Sequence, residues 1–380
     1  MSSEIVPRNR KEQIIKDLSK KMVFIAGPRQ TGKTTLSKSI LTELGGDIQK
    51  SYLNWDFDKD REIILRGEFP FDNQYLILDE IHKFSGWRNT VKGIFDKFQD
   101  SLSIIVTGSA RLEHYSHGGD SLQGRYFMHR LHPLTVKELK IDQKKDLDHL
   151  FNLSGFPEPF LSGSKIEQER WSRSYRSLLI NQDLRDLEQV KDISKIELLC
   201  LRLPELVSSP LSINNLAGDL SSGHDTVTNW LNILEQLYFC FRIHPFQGSL
   251  VKSIRKQAKH YHYDWSLVKD KGASFENFIA SHLLKWIHYQ QDIFGKNIEL
   301  MYFRDIEKRE IDFLIVENQQ VTQAIECKYQ SREIDTNLKY FKKKYPKIEA
   351  IQVVYDLDDS FINQDQIKVL SALDFLNTLV

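Results

Sequence analysis

The chain has 380 residues, enough for two or three domains with separate cores, and its 41% hydrophobic and 27% charged residues are those of a soluble globular protein. Lys+Arg and Asp+Glu balance at 52 each, so overall charge selects no acidic partner, and any nucleic-acid affinity has to come from a local patch. The three cysteines, Cys200, Cys240 and Cys327, have no ligand spacing, and neither an apolar leader nor a membrane-length apolar run is present. These features predict a cytoplasmic protein in a reducing compartment, with no membrane partner.

The first strong signal lies between Met22 and Leu36. Met22 to Ala26 is a short apolar run with a β-branched and aromatic centre, and it predicts a buried strand. It runs into Gly27-Pro28-Arg29-Gln30-Thr31-Gly32-Lys33-Thr34, which fits G-x-x-x-x-G-K-[ST] at every fixed position, and a helical pattern follows from Thr35 to Leu44. The spacing has a chemical reason. A glycine-rich turn points successive backbone N–H groups at phosphates, and the helix start adds the positive end of its dipole. Lys33 reaches the β- and γ-phosphates, and the Thr34 hydroxyl ligates Mg²⁺. The cofactors read here are ATP and Mg²⁺, with residues 27–35, through Thr35, forming the ATP loop.

Tyr75 to Leu78 is an apolar strand ending in Asp79-Glu80, the pattern of a Walker B motif. Asp79 is expected to hold Mg²⁺ through its water shell, and Glu80 to orient and deprotonate the attacking water. Ser51 to Asp56 predicts a strand between these two. Ser103 to Thr107 predicts the next, ending in Thr107-Gly108-Ser109-Ala110-Arg111; a strand inserted between the P-loop and Walker B strands, with a polar strand tip beside them, indicates the additional-strand branch of P-loop ATPases. Thr107 and Ser109 are expected either to hydrogen-bond the γ-phosphate or the water, or simply to cap a turn. Arg125, opening the strand-like run Tyr126 to Arg130, is the expected reader of the γ-phosphate, in cis or from a neighbour, with Arg111 as second choice. A surface salt bridge explains either arginine nearly as well.

With Leu78-Asp79-Glu80-Ile81, Thr107-Gly108-Ser109, Leu122-Gln123-Gly124-Arg125, Leu131-His132-Pro133-Leu134 and Gly155-Phe156-Pro157-Glu158 added to the loop, the chain resembles the AAA-type ATPases of bacteria and archaea that carry a C-terminal domain of unassigned function. The resemblance covers nearly the whole chain and implies an AAA-like nucleotide site; it supplies no substrate. The domain boundary it implies follows Gly155 to Glu158, giving an ATPase domain over residues 1–165.

From Glu167 to Leu203 the pattern is helical, with Leu178, Leu179, Leu184 and Leu187 on the apolar side. Val227, Trp230, Leu231 and Leu234 then form a single stripe at i, i+3, i+4 and i+7, and Tyr238 to Ile243 follows as a wing strand would. The family resembled has a winged-helix-like element here, so residues 166–250 read as a helical and winged-helix domain. DNA reading is disfavoured by charge: no Lys or Arg lies between Arg202 and Arg242, while duplex affinity comes mainly from neutralised phosphates. A partner protein or self-association is the expected use.

The remainder, residues 251–380, predicts an αβββαβ order: a helix from Phe275, strands at Leu300 to Arg304, Glu310 to Val316 and Val321 to Lys328, a helix from Leu338, and a strand at Ala350 to Tyr355. This order, with Asp312 and Glu326-x-Lys328, is similar to the restriction-endonuclease-like fold and its PD-(D/E)xK signature. The similarity implies Mg²⁺ on Asp312 and Glu326, with Lys328 supporting the nucleophile or leaving phosphate and Glu276 joining from the helix. The opposing reading is a retired nuclease fold, with Glu276, Asp312 and Lys328 paired with each other. Basic residues at Lys252, Arg255, Lys256 and Lys259, and from Lys339 to Lys347, are the expected places for DNA or RNA. The whole reads as an α/β protein, an ATPase whose nucleotide state controls a nuclease-like domain, or alternatively a switch or scaffold regulating a partner protein.

Overall fold

The computed structural model describes residues 6–69, 74–109, 112, 122–184, 192–246, 257–330 and 333–380. Arg111, Leu187, Lys252, Arg255 and Lys256 lie outside the described residues. Two compact units are present, residues 1–133 and 134–380.

In the first unit five parallel strands form one sheet: β1 (Met22–Ala26), β2 (Tyr52–Asn54), β3 (Tyr75–Asp79), β4 (Ser103–Gly108) and β5 (Tyr126–Arg130). The spatial order is β2-β3-β4-β1-β5, so β4 separates the loop strand from the acidic strand. Helices cover both faces of a parallel sheet, which is why β1 reads as an unbroken apolar run rather than an alternation. Phe24, Leu78 and Val106 pack on one side with Trp87 and Val91. Val23, Ile25, Ile77 and Ile105 pack on the other with Ile14, Leu36 and Ile40. Ala26 stands opposite Gly108 and Arg130, and Asp79 opposite Thr107 and Asn54, so one edge of the sheet collects the polar strand ends. The strand expected over Ser51 to Asp56 is shorter, because Ile48–Ser51 is a helical turn capped by Asp47.

The second unit begins earlier than the sequence suggests. The compact units divide at 133/134 rather than at the expected 165, and residues 134–165 pack with the later helices. Glu138 is buried against Lys285, which also donates to Thr135 Oγ1 at 3.0 Å. Trp265 Nε1 donates to the Phe151 carbonyl at 3.0 Å, and the Phe151 ring packs edge-on to Phe278 at 5.4 Å. The single helical pattern expected from Glu167 to Leu203 is interrupted: helix Lys165–Leu178 passes into a π-turn at Leu179–Asp183, and a separate helix runs Ile193–Arg202. Helices Ile213–Asp219 and His224–Gln236 follow, the latter burying Val227, Trp230, Leu231 and Leu234. Strand β6 (Cys240–Ile243) then pairs antiparallel with β7 (Lys259–His262).

A 24-residue helix, Lys271–Phe294, precedes an antiparallel meander of β8 (Ile298–Arg304), β9 (Glu310–Glu317) and β10 (Gln320–Lys328). Helix Thr336–Lys344 leads to β11 (Glu349–Val354), which is parallel to β10; β12 (Phe361–Ile362) and β13 (Ile367–Ser371) complete a six-stranded sheet of order β12-β13-β11-β10-β9-β8. Among the described residues no helix is long and apolar enough to cross a membrane.

His282, in the long helix, fixes the start of this unit. Its Nδ1–H donates to the Phe278 carbonyl at 2.8 Å, and its Nε2 accepts the Val136 N–H at 3.3 Å, which requires the neutral ring. Burial pushes its pKa down to about 3 from the ordinary 6.5, so the unfolded chain binds the proton more readily. The stabilisation is therefore full above pH 6.5 and is lost as pH falls toward 3, at about 1.4 kcal/mol per pH unit. Denaturant melts should show wild type losing its advantage over His282→Gln between pH 6.5 and 4.5; a pH-independent difference would refute this.

Candidate nucleotide site and the buried carboxylate cluster

The loop between β1 and helix Lys33–Glu43 wraps around its own lysine. Lys33 Nζ donates to the carbonyls of Gly27 at 2.9 Å and Pro28 at 2.6 Å, and Thr31 Oγ1 donates to Pro28 O at 2.8 Å. Gly27 has φ 147° and Gly32 φ 91°, conformations that side chains disfavour. Gly27 is confined twice over, because a Cβ there would stand 2.1 Å from the Leu131 carbonyl oxygen beyond β5. Arg29 acts electrostatically on Glu80, Gln30 turns the chain at φ 59°, and Thr35 is exposed at the helix start.

Asp79, 4% exposed, receives three hydroxyls. Thr34 Oγ1 donates to Oδ2 at 2.8 Å, Tyr52 OH to the same oxygen at 2.7 Å, and Thr107 Oγ1 to Oδ1. The expectation that Thr107 faces phosphate or water is corrected: β3 and β4 are in register at these two residues, and its hydroxyl is spent on the carboxylate. Burial and the bond to Asp79 push the Tyr52 phenol above its ordinary range, so it stays a donor. The carboxylate and the Thr34 hydroxyl are hard oxygen donors, and they fit Mg²⁺.

Glu80 adopts φ 55°, a left-handed conformation that turns its side chain away from the strand path. Burial pushes its pKa up, with Lys33 and Lys83 opposing. Its Oε2 lies 3.6 Å from His82 Nε2 and 3.9 Å from Lys83 Nζ. Ser109 is buried at the β4 tip, with Oγ 3.4 Å from His82 Nε2.

Arg125 cannot read the γ-phosphate in cis. In the β1–β5 register Met22 faces Tyr126 and Ala26 faces Arg130, so Arg125 stands at the opposite sheet edge from the loop. Its guanidinium bonds Asp96 at 2.7 and 3.3 Å. The arginine at the loop edge is Arg130, which sequence reading passed over. Tyr52 and His82 were also missed; their polar atoms inside apolar or turn segments were the available signal.

In the second unit the sequence-predicted acids converge on an unexpected partner. Lys259, fully buried on β7, pairs with Glu310 at 2.7 Å, Glu276 at 3.1 Å and Asp312 at 3.2 Å. Burial opposes its charge, yet Tyr261, Glu276, Asp312 and Glu310 hold its pKa well above the ordinary value. Tyr261 OH and Ser208 Oγ each donate to Glu276 at 2.6 Å, and Asp312 Oδ2 accepts the Cys327 N–H at 3.0 Å. Burial first, and Asp312 second, push the Glu276 and Glu326 carboxyls up.

Two expectations fall here. Lys259 is not a nucleic-acid contact, and Lys328 does not pair with Asp312 or Glu276; it bonds Glu326 and Asp335, each at 2.9 Å. Among the described residues no three His, Cys or carboxylate side chains are grouped to hold a metal, and the Asp312 and Glu326 carboxylates expected to share Mg²⁺ accept the Cys327 N–H at 3.0 Å and the Asp312 N–H at 3.4 Å. Of the second basic stretch, Lys339, Lys343, Lys344 and Lys347 are exposed, while Lys342 caps the carbonyls of Pro346 and Ile348.

The cation of the loop is the decisive group for phosphate. Replacing Lys33 by Ala should weaken ATP binding by at least about a hundredfold in calorimetry, as the phosphates lose their charged partner. Unchanged affinity would remove the nucleotide assignment.

Comparison with known proteins agrees with the first unit's geometry. Residues 19–140 match an AAA domain, and residues 144–271 and 271–375 match two domains of unknown function, DUF8612 and DUF4143. An uncharacterized protein of Mycobacterium tuberculosis is 23% identical over 283 residues, covering 69% of this chain and 62% of its own length. One of Methanocaldococcus jannaschii is 24% identical over 300 residues, covering 66% and 62%. The chain thus spans 62% of the length of these curated relatives. Among solved structures, a Walker-type ATPase of Pyrococcus abyssi has TM-score 0.44 at 12% identity, covering 70% of this chain and 95% of that one. The RuvB Holliday junction branch migration motor of Thermotoga maritima has TM-score 0.29 at 18% identity, covering 62% and 90%. Likenesses at those scores carry no argument here. The family match and the loop together make residues 19–140 an AAA-like P-loop fold, a nucleotide-binding class.

Proposed function

We propose that this chain is a Mg²⁺-dependent ATPase that works as a nucleotide-driven switch, acting through protein docking of its second unit rather than through nucleic-acid cleavage. The observation that carries the first half is Asp79, buried, fully hydrogen-bonded by neutral hydroxyls, and adjacent to a second acid whose carboxylate is held beside Lys33 and Lys83. Hydroxyl donors leave Asp79 its negative charge, which is what a divalent cation needs. Bound there, the ion would neutralise charge on the β- and γ-oxygens. Lys33 binds and orients the same phosphates. Glu80 takes the proton of the attacking water; a carboxyl raised by burial is a stronger base than an exposed one. Arg130, at the loop edge, is the in-cis candidate for γ-phosphate charge, and Arg125 is left to a neighbouring copy.

The second half rests on Lys259. The αβββαβ element order from Lys271 to Val354 supports a restriction-endonuclease-like reading, on which an ammonium sits among the acids that would otherwise take the metal. This favours the retired form of such a fold. The two helices and the β6–β7 pair are read as a winged-helix docking element. Among the described residues, Arg242 is committed to Asn232 and Glu235, Arg202 to Glu205 and Asp219, and Lys195 to the Ser221 carbonyl and Ser222, so the cations beside this element are engaged within the chain, which disfavours DNA.

Two measurements test these halves separately. Glu80→Gln should keep ATP binding and slow phosphate release by at least about a hundredfold, the usual worth of a general base; normal turnover would assign the base elsewhere. Wild-type protein should leave DNA and RNA uncut in Mg²⁺ or Mn²⁺ under every nucleotide state. Cleavage that disappears in Asp312→Ala would overturn the docking reading.

A further inference from the structure

Just past the ends of β3 and β4, two side chains meet one imidazole edge. His82 Nε2 lies 3.4 Å from Ser109 Oγ and 3.6 Å from Glu80 Oε2. The ring is only 5% exposed, so its position is set by packing. One wall of its slot is Gly108, at the end of β4. A Cβ on that residue would stand 2.5 Å from His82 Nδ1 and 3.1 Å from Cε1, so the ring and any larger residue at 108 exclude each other. Glu80 Oε2 is buried and accepts no hydrogen bond among the described residues. Of the lysines acting on Glu80, Lys83 lies at 3.9 Å and is held by Asp56 at 2.5 Å, while Lys33 donates to the Gly27 and Pro28 carbonyls.

A buried carboxylate oxygen without a donor is costly, and a ring N–H a few tenths of an ångström beyond bonding distance is the group able to relieve it. Catalytic hydrogen bonds of this kind are often long until the reacting groups are engaged. The neutral Nε2–H tautomer faces two acceptors at once, the Glu80 carboxylate and the Ser109 hydroxyl. That links the acid at the end of β3 to the tip of β4.

We infer that His82 is the positioning residue for Glu80: its Nε2–H orients the carboxylate, and Ser109 at the β4 tip sets the ring. The inference deepens the reading of Glu80 as the base and rests on it. The residue touches no reacting atom. Its removal lets the carboxylate swing, so chemistry suffers while nucleotide binding does not. Gly108 is then part of the same device, because it supplies the room the ring needs.

The test uses full-length protein and two independent readouts. In steady-state kinetics, His82→Ala should lower kcat by roughly ten- to a hundredfold, the range for a group that orients a base, with the ATP Kd and KM within about twofold. His82→Gln, whose amide N–H₂ reaches a similar position, should recover most of that loss, and Gly108→Ala should copy His82→Ala. A purely structural ring would instead lower stability and affinity together, with no rescue by Gln. In imidazole ¹⁵N NMR, His82 should carry its proton on Nε2, and its resonances should move in Glu80→Gln and in Ser109→Ala. Unchanged kcat in His82→Ala, or His82 resonances indifferent to Glu80→Gln, would overturn the inference. If wild type releases no phosphate, the ATPase reading fails by itself, and the NMR arm still decides whether the ring engages Glu80.

Discussion

The first unit depends on how one buried carboxylate is satisfied. Asp79 ends a strand in the middle of a parallel sheet, and its charge would be untenable there without donors. Those donors come from three places: Thr34 after the loop, Tyr52 on β2 and Thr107 on β4. Hydrogen bonds to an ionised group are worth about 1.5–3 kcal/mol each. They also set geometry, since the loop helix and both flanking strands must stop at the same height for all three hydroxyls to reach. The alignment of Ala26, Asp79, Thr107 and Arg130 along one sheet edge follows from that demand together with the strand register.

The second unit handles buried acids in another way. Glu276, Glu310 and Asp312 converge on the ammonium of Lys259, with Tyr261 and Ser208 completing Glu276. An ammonium offsets part of that charge, where hydroxyls only solvate it. Breaking a buried arrangement of this kind by removing one partner costs about 3–5 kcal/mol, because the remaining charges stay buried. The two clusters therefore differ in what they leave over. One holds its carboxylate with neutral donors at a strand edge; the other sets one ammonium among three acids and ties β7, the long helix and β9 together.

How much of this was legible depended on whether the signal was local. The loop, its strand and the acidic strand could be read because their chemistry sits in consecutive residues with fixed spacing, whereas the place of β4 between β1 and β3 is set by strand pairing. The αβββαβ order was equally visible, since helix and strand periods differ. What failed was pairing across distance. Lys259 looked like part of a basic surface run, and nothing in Lys-His-Tyr-His says that β7 is buried on every residue. Arg125 precedes and Arg130 closes one five-residue strand, and only the register says which end meets the loop. The division of the compact units at 133/134 was not legible for the same reason: Glu138 and Lys285, and Val136 and His282, are too far apart in sequence for their pairing to be guessed.

Gly27 and Gly32 look alike in the sequence motif, yet their surroundings differ. Gly32 has open space where a side chain would begin, so a substituent there meets only backbone strain. Gly27 is wedged against the Leu131 carbonyl, whose own N–H bonds Ala26 at 2.7 Å. Any larger residue at 27 pries β5 from β1. A null phenotype from a Gly27 allele therefore says nothing about phosphate recognition, because the lesion is architectural. The genetics of this loop can be interpreted at Lys33 and is confounded at its first glycine.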